Sequence, residues 1–473
     1  VMAEGGINAA LNTKDENDSP EEHFTDTIKA ACGLADPNAV WGMTQAAPEL
    51  VHWLLKLGVK FNMSGYDDVD LRNFGGQKKK RTAFAQSDTG KQIMTAMIDA
   101  VRRKEASGMV ERFSHHSFLT LRLCGNICCG CVIRDEYSQE TVELPGDAVI
   151  VATGGMHGLF GNTTGSLSNT GEVTAELFRL GVPLANGEMI QYHPTTVKCG
   201  GKRMLISEAA RGEGGRLFAM KDGKQWYFME EKYPELGNLM PRDITAREIW
   251  KVSHESEVFL DMTEISEEII SNKLSGLADD CMTYLHKDIR KEPVSVLPGI
   301  HYFMGGILVD EQHRTPIQNL YAAGECCAQY HGANRLGGNS LLGALYGGRV
   351  AAKSACEQAD VVDLSCATQI DFPPASQISE IKQLNKVMQE TMGVVRNENT
   401  LLNGIQTVQA LTGNLPLLGM AVLKSALARK ESRGAHWRED YPKSNDDDYL
   451  KTTVARFDGK QIQISFVPVP ERR

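Results

Sequence analysis

The sequence predicts an α/β fold with further α and β parts attached, on three observations. The segment DAVIVATGG (147–155) is a short, β-branched apolar run that ends in glycines. The run YAAGECCAQYHGANRLGGNSLLGALYGGR (321–349) leads from a small-residue turn through glycines into a helix. Residues 376–433 show helical periodicity throughout.

An apolar run followed by glycines is the pattern of a buried strand with a ligand at its C-terminal end. SNTGEVTAELFRLG (168–181) supplies a capped helix after it, with Glu172 in the first turn. In the second run, Gly324-Glu325 closes a turn and Arg335 stands between Asn334 and Gly337-Gly338. Asn339-Ser340 is expected to cap a helix whose first turn holds Leu341. Glycines admit close backbone approach, and a helix N-terminus offers free N–H groups to an anionic or carbonyl-rich group. Together they describe a seat for a large polar cofactor beside an anionic substrate.

The rest of the chain divides by texture. Residues 20–60 carry a helical stripe of Ala46, Leu50, Trp53, Leu54 and Leu57. A further helix is expected over 89–104, capped near Thr89-Gly90, and a β-hairpin over 118–144 turning at Gly125-Asn126. Residues 187–297 have more charge and fewer glycine turns, as an inserted unit would. The acidic run 445–448 marks a boundary before a short β-rich tail. The expected divisions are 1–186, 187–297, 298–358, 370–444 and 445–473, with the first and third forming one body.

The chain has 473 residues and a net charge of −10. KKKR at 78–81 is its one basic cluster, which argues against a nucleic-acid partner. No apolar run reaches the roughly 18 residues that cross a bilayer. Eleven cysteines do not form a disulfide framework in so long a chain. The densest group, Cys124, Cys128, Cys129 and Cys131, lies in the expected hairpin without a second ligand pair nearby. Reduced, strand-buried thiols are expected there rather than a metal site.

Four further segments hold chemistry-bearing residues at turns: QYHPT with His193, SEAARGEGG with Ser207, Glu208 and Arg211, MPRDITARE with Arg242, and HYFMGG with His301. With HGANRLGGNSLL and SRGAHWREDYP (432–442) they make six motifs. In this order they resemble the flavoprotein subunit of the succinate dehydrogenase/fumarate reductase family, from AEGGINAAL (3–11) to the end of the last motif. The resemblance implies a Rossmann-like FAD-binding domain, a capping domain over 187–297 and a C-terminal helical domain. It implies FAD as cofactor, fumarate and succinate as substrates, and an iron–sulfur subunit as partner. Membrane association would then come only indirectly, through anchor subunits, at the cytoplasmic face.

By the same resemblance Arg242 moves the proton, with Glu208 and Arg211 relaying it. His193, Ser207, His301 and Arg335 hold the dicarboxylate, and Phe74 in RNFGGQ packs on substrate and flavin. Glu4, Gly5, Gly6, Gly154, Gly155, Glu172, Glu325, Asn339, Ser340 and Leu341 fall in the flavin-binding segments. Two positions depart from the family: Ser207 replaces a threonine but keeps the hydroxyl, and Glu172 stands where aspartate is usual. The chain begins at Val1 without the G-x-G-x-x-G unit expected before AEGG, so the resemblance implies a missing first βαβ unit. The histidine that carries covalent FAD in some members would lie upstream of Val1, so the mode of attachment is not readable here.

L-Aspartate oxidase shares several of these motifs. It normally has a small residue and serine at the Gly337-Gly338 positions and an acid at the Gly343 position, so both sites favour the succinate/fumarate branch. A soluble single-subunit fumarate reductase and a non-catalytic flavin-binding scaffold are the other readings. SRGAHWREDYP argues against the first, and the intact Arg242, His193, His301 and Arg335 against the second.

Overall fold

A computed structural model describes residues 4–473 except 167, 360, 362–369, 371 and 373–376, so the start of the 370–444 division lies partly outside the described residues. The glycine-ended strand is Val149–Val151. It pairs in parallel with Leu320–Ala322, in register from Leu320 opposite Val149 to Ala322 opposite Val151. The strands lead to Gly154 and Gly324, at φ +74° and +80°, where only glycine turns freely. The helix Asn339–Gln358 follows and packs beside these strands.

Its start corrects the expected cap. Gly338 is the N-cap residue at φ +84°, and Asn339 already lies inside the helix. A β-carbon on Gly338 would stand 2.1 Å from Asn8 Oδ1, so no capping side chain fits there. The 89–106 helix likewise starts after Asp88 without a side-chain cap bond. The stripe over 20–60 is two helices, Pro20–Ala30 and Pro37–Leu57. Each opens with proline in its first turn after a capping Ser19 or Asp36, and Cys32 and Gly33 at positive φ separate them.

The hairpin is a three-stranded antiparallel sheet, His116–Cys124, Ile127–Asp135 and Thr141–Pro145. Cys128, Cys129 and Cys131 are free thiols, the first two fully buried. Cys124 is disulfide-bonded, which corrects the all-reduced reading at that residue.

Residues 206–296 build their own core, with Ile206, Leu217, Phe228, Ile249, Leu260 and Ile289 buried around a four-stranded antiparallel sheet. The helix-like stretch after Glu264 is three short pieces, Glu267–Lys273, Ser275–Asp280 and a π-turn Cys281–Leu285. Leu274 at φ −127° breaks the first from the second. The helices Ile378–Thr391, Glu398–Val408 and Asn414–Ala428 pack through Leu384, Met388, Leu401, Leu418 and Val422.

The tail is a hairpin, Lys451–Phe457 with Ile462–Pro468, that extends a five-stranded sheet through Leu184–Ala185 and Gly306–Leu308. The acidic run is a short helix Asp446–Tyr449 capped by Asn445. No helix of the described residues is long and apolar enough to cross a membrane.

A buried ionic network ties the three helices to this sheet. Arg429, wholly buried, reaches Glu188 and Glu431 at 2.7 Å each, and Arg433 reaches Glu431 at 2.8 Å. Arg396 donates to the Glu188 carbonyl at 2.7 Å and shares a hydrogen bond with His436 Nδ1 at 2.9 Å. Removing one member leaves charges unpaired in a low dielectric. Arg429→Ala is expected to lower stability by about 3–5 kcal/mol, read from denaturant unfolding.

Candidate active site

Strand pairing brings the two histidines together. Ile190–Cys199 and Leu297–Phe303 run antiparallel with Gly299 opposite His193, and a register shift follows Ile300. The His193 and His301 rings then meet edge to face at 5.2 Å. His193 Nδ1 accepts from the Thr195 amide at 3.2 Å, and its Nε2 has no partner. His301 Nδ1 shares a 2.8 Å hydrogen bond with Thr164 Oγ1. Burial, reinforced by the Arg242 guanidinium, holds both rings well below the ordinary histidine range, so both are neutral at pH 7.

Arg242 is the first residue of the helix Arg242–Val252, a more rigid setting than the turn expected. Its Nε and Nη2 reach Glu208 Oε2 at 2.8 and 2.5 Å, and Nη1 donates to Gln191 Oε1 at 3.0 Å. Glu208 and Arg211 share one helical turn, Glu208–Gly212, which Ser207 caps by accepting from the Ala209 amide. Arg211 stands 3.4 Å from the other Glu208 oxygen and donates to the Asn238 carbonyl at 2.6 Å. Burial pushes the Glu208 carboxyl up, but Arg242 and Arg211 outweigh it and hold it below its usual range.

Arg335 differs from these. It is 3% exposed and makes no ion pair among the described residues. Its guanidinium lies 4.4 Å from the Tyr302 ring centre, and its Nε has no hydrogen-bond partner. Burial first, then repulsion from Arg242, lowers it to about 9. A buried cation without a counter-charge is a seat for an anion.

These groups face one cavity of about 620 Å³. One half is lined by Phe74, His193, Ser207, Glu208, Arg242, His301 and Arg335. The other is lined by Glu4, Gly5, Gly6, Glu325, Ser340 and Leu341. A β-carbon on Gly5 would lie 2.7 Å from Phe74 Cζ, so backbone forms that wall. Arg211, Gly154, Gly155, Asn339 and Glu172 do not line the cavity. Arg211 stands behind Glu208, and Gly155 lies against Glu325 and Phe303. Asn339 turns to Asn8, His23 and Thr27, and Glu172 is exposed.

Sequence reasoning missed Gln191 and Asn334, although both lie inside the motifs it singled out. Gln191 Nε2 donates to Asn334 Oδ1 at 3.0 Å and to the Arg335 carbonyl at 2.8 Å. Asn334 Nδ2 donates to Asp243 Oδ1 at 3.1 Å. Two neutral amides thus set the distance between the two arginines that face the cavity.

A family profile described as FAD binding domain matches residues 1–341, and one described as fumarate reductase flavoprotein C-term matches 411–472. The chain belongs to the succinate dehydrogenase/fumarate reductase flavoprotein family. It is 37% identical to the succinate dehydrogenase flavoprotein subunit of Bacillus subtilis, over 100% of this chain and 91% of that protein. It is 32% identical to L-aspartate oxidase of Nostoc sp., over 96% and 86%. The solved FrdA chain of E. coli quinol fumarate reductase superposes with a TM-score of 0.89 at 27% identity, over 99% of this chain and 89% of that one.

Membership makes the chain an FAD-dependent oxidoreductase, as the resemblance implied, and the glycine-lined half of the cavity fits a flavin. Its walls are bare backbone at Gly5 and Gly6, and the first turn of the Asn339–Gln358 helix offers free N–H groups there. Gly155 offers a test of that half. A β-carbon there would lie 2.6 Å from Glu325 Oε1 and 2.7 Å from Phe303 Cδ2. Gly155→Ala is expected to weaken FAD by about 5- to 150-fold, the range set by roughly 1–3 kcal/mol of overpacking, in a flavin titration of the apoprotein. Unchanged affinity would remove Glu325 from the flavin seat.

Proposed function

We propose that this chain is the flavoprotein subunit of a complex that interconverts fumarate and succinate and exchanges electrons with an iron–sulfur partner. The observation that carries the reading is the anion half of the cavity. There Arg335, a buried cation without an ion-pair partner among the described residues, and Arg242, which shares the Glu208 carboxylate, lie beside two neutral histidines. The FAD that the family carries supplies the hydride at its N5 position when bound. The 187–297 segment serves as a capping domain over the 1–186 and 298–358 body, and 370–444 as the helical domain.

Each residue then has a role that its surroundings support. Arg335 takes one substrate carboxylate, because its planar guanidinium has no competing acid. His193, His301 and Ser207 take the other as neutral hydrogen-bonding groups and add no charge to an interior already cationic. Phe74 packs on the substrate and on the flavin seat formed by Glu4, Gly5, Gly6, Glu325 and Ser340-Leu341.

Arg242 is the acid in the reductive direction. Its proton leaves toward the substrate carbon and is replaced through Glu208 and Arg211, which lead from the cavity to the carbonyl of Asn238. Arg211 itself lines a separate, more open cleft, so the relay has an outlet to solvent there. The Bacillus subtilis relative is one subunit of a larger enzyme, which supports a partner subunit as the electron acceptor. Membrane anchorage through further subunits at the cytoplasmic side fits the lack of a spanning helix among the described residues.

L-Aspartate oxidase fits the site less well. A β-carbon on Gly343 would lie 3.3 Å from the Tyr330 ring and 3.4 Å from His331 Nε2, so both side chains would have to give way to admit the acid of that enzyme.

Arg242→Lys keeps a charge but loses the paired contact to Glu208. It is expected to lower kcat for fumarate reduction by at least about 10²-fold while malonate binding persists. Dye-donor assays with separately measured malonate affinity check it, and near-normal kcat would transfer the acid role to another residue. A second expectation concerns pH. Burial depresses Arg335, so its charge is complete well below about 9 and is lost above it. Malonate affinity of the FAD-loaded protein should therefore be level near neutrality and fall as pH rises through about 9. Arg335→Ala should cost about 1.5–3 kcal/mol of binding at pH 7 and abolish that fall.

A further inference from the structure

The helix that begins with Arg242 carries a second arginine on another side. Arg247 is five residues on, about 140° around the helix axis, so one helix holds Arg242 at the cavity and Arg247 elsewhere. The Arg247 guanidinium lies 4.0 Å from the centre of the Trp437 indole. Trp437 belongs to SRGAHWREDYP, a motif that the chemistry of the cavity leaves unused.

The two sides of this contact are built differently. Trp437 stands on a rigid platform. Its carbonyl accepts from the Arg396 amide at 2.9 Å, and its neighbours His436 and Arg438 are wholly buried. Arg438 donates to the Ala426 carbonyl at 3.0 Å, which fixes the platform to the helix Asn414–Ala428. Arg247 belongs instead to the 206–296 unit, which has its own core and continues from the strand pair Ile190–Cys199 and Leu297–Phe303. Among the described residues no hydrogen bond or ion pair joins that unit to the three helices of 378–428. The Arg247–Trp437 stack bridges the gap.

The 206–296 unit forms one wall of the cavity through Ser207, Glu208 and Arg242. Arg335, Arg242 and His193 are 3%, 7% and 1% exposed. Movement of the 206–296 unit changes access to them, because it carries Arg242 in that wall. The Arg242 helix moves with that unit, so the stack on Trp437 must part each time.

We propose that Arg247 and Trp437 form a latch that holds the 206–296 unit closed over a bound dicarboxylate. The proposal rests on the dicarboxylate reading of the cavity. Both residues are positioning residues and touch neither substrate nor flavin. On opening, the stack exchanges a cation–π contact for water. On closing, it returns Arg242, still paired with Glu208, to Gln191. The contact extends inward, since Asp243 lies within electrostatic reach of Arg247 and accepts from Asn334, which is bonded to Gln191.

The test follows malonate release from the FAD-loaded protein, by flavin absorbance after a chase. Arg247→Gln and Trp437→Ala are each expected to speed release by about threefold to tenfold, the effect of losing one half-buried cation–π contact. The double variant should release no faster than either single one, because both remove the same contact. Trp437→Phe keeps a weaker ring and should fall between wild type and Trp437→Ala. A merely structural tryptophan would lower the unfolding temperature of Trp437→Ala yet leave release from Arg247→Gln unchanged. That result, or single effects that multiply in the double variant, overturns the latch. Should Trp437→Ala fail to fold, Arg247→Gln and Trp437→Phe decide alone. Wild-type protein that binds no malonate would overturn the dicarboxylate reading and the latch with it. Wild-type binding with unchanged release in the variants overturns the latch alone.

Discussion

The carboxylate of Glu208 is what allows the cavity to exist. It is 2% exposed and stands between Arg242 and Arg211, with Arg335 near enough to act on it electrostatically. Three guanidiniums in one interior would repel one another and lose their hydration without it. Even so, one carboxylate cannot balance three cations. Glu208 pairs with Arg242 and Arg211, which leaves Arg335 without an ion-pair partner where the walls are concave. An anionic group that meets Arg335 completes the pairing, and a neutral ligand does not. The same imbalance explains why the histidines are neutral. Burial beside an arginine leaves no room for another proton.

The loop that presents Arg335 is held by neutral groups for a related reason. Asn8 Nδ2 donates to the Gly337 carbonyl at 2.7 Å, Gln77 Nε2 to the same carbonyl at 2.9 Å, and Asn8 Nδ2 also to Asn339 Oδ1 at 2.7 Å. His23 shares a 2.9 Å bond with Asn339 and is kept neutral by burial, at about 3. Amides can pin a loop from residues hundreds of positions away without shifting the charge of the site. Gly338 permits the approach, since any side chain there would occupy the place of the Asn8 amide.

Much of this was legible in the sequence because the groups concerned are chemically conspicuous. Arginines and histidines at glycine and proline turns stand out, and six motifs in order identify a family where one alone does not. The strand Val149–Val151, the three helices of 378–428 and the tail hairpin followed from periodicity and turn residues. What escaped was set by tertiary contact. Gln191 and Asn334 carry no charge and no reactivity, so nothing in a single sequence marks them as spacers between arginines. Periodicity ran across the break between Pro20–Ala30 and Pro37–Leu57, because two capped starts near each other resemble one long stripe. Asn339 looked like a cap by residue type, yet its side chain was committed to Asn8, His23 and Thr27. The disulfide state of Cys124 depends on a neighbour that spacing cannot reveal.

The two charges that the proposed substrate would meet lie on different bodies. Arg335 belongs to the glycine-lined body and Arg242 to the 206–296 unit, joined through Gln191 and Asn334. A ligand with a carboxylate at each end would therefore bridge the bodies as well as fill the cavity. Its binding energy would draw the unit shut and carry Arg242 to the substrate carbon in the same movement. A monocarboxylate would satisfy one body only and leave the acid out of reach. Selectivity and proton delivery then have one origin, the division of two cations between the glycine-lined body and the 206–296 unit.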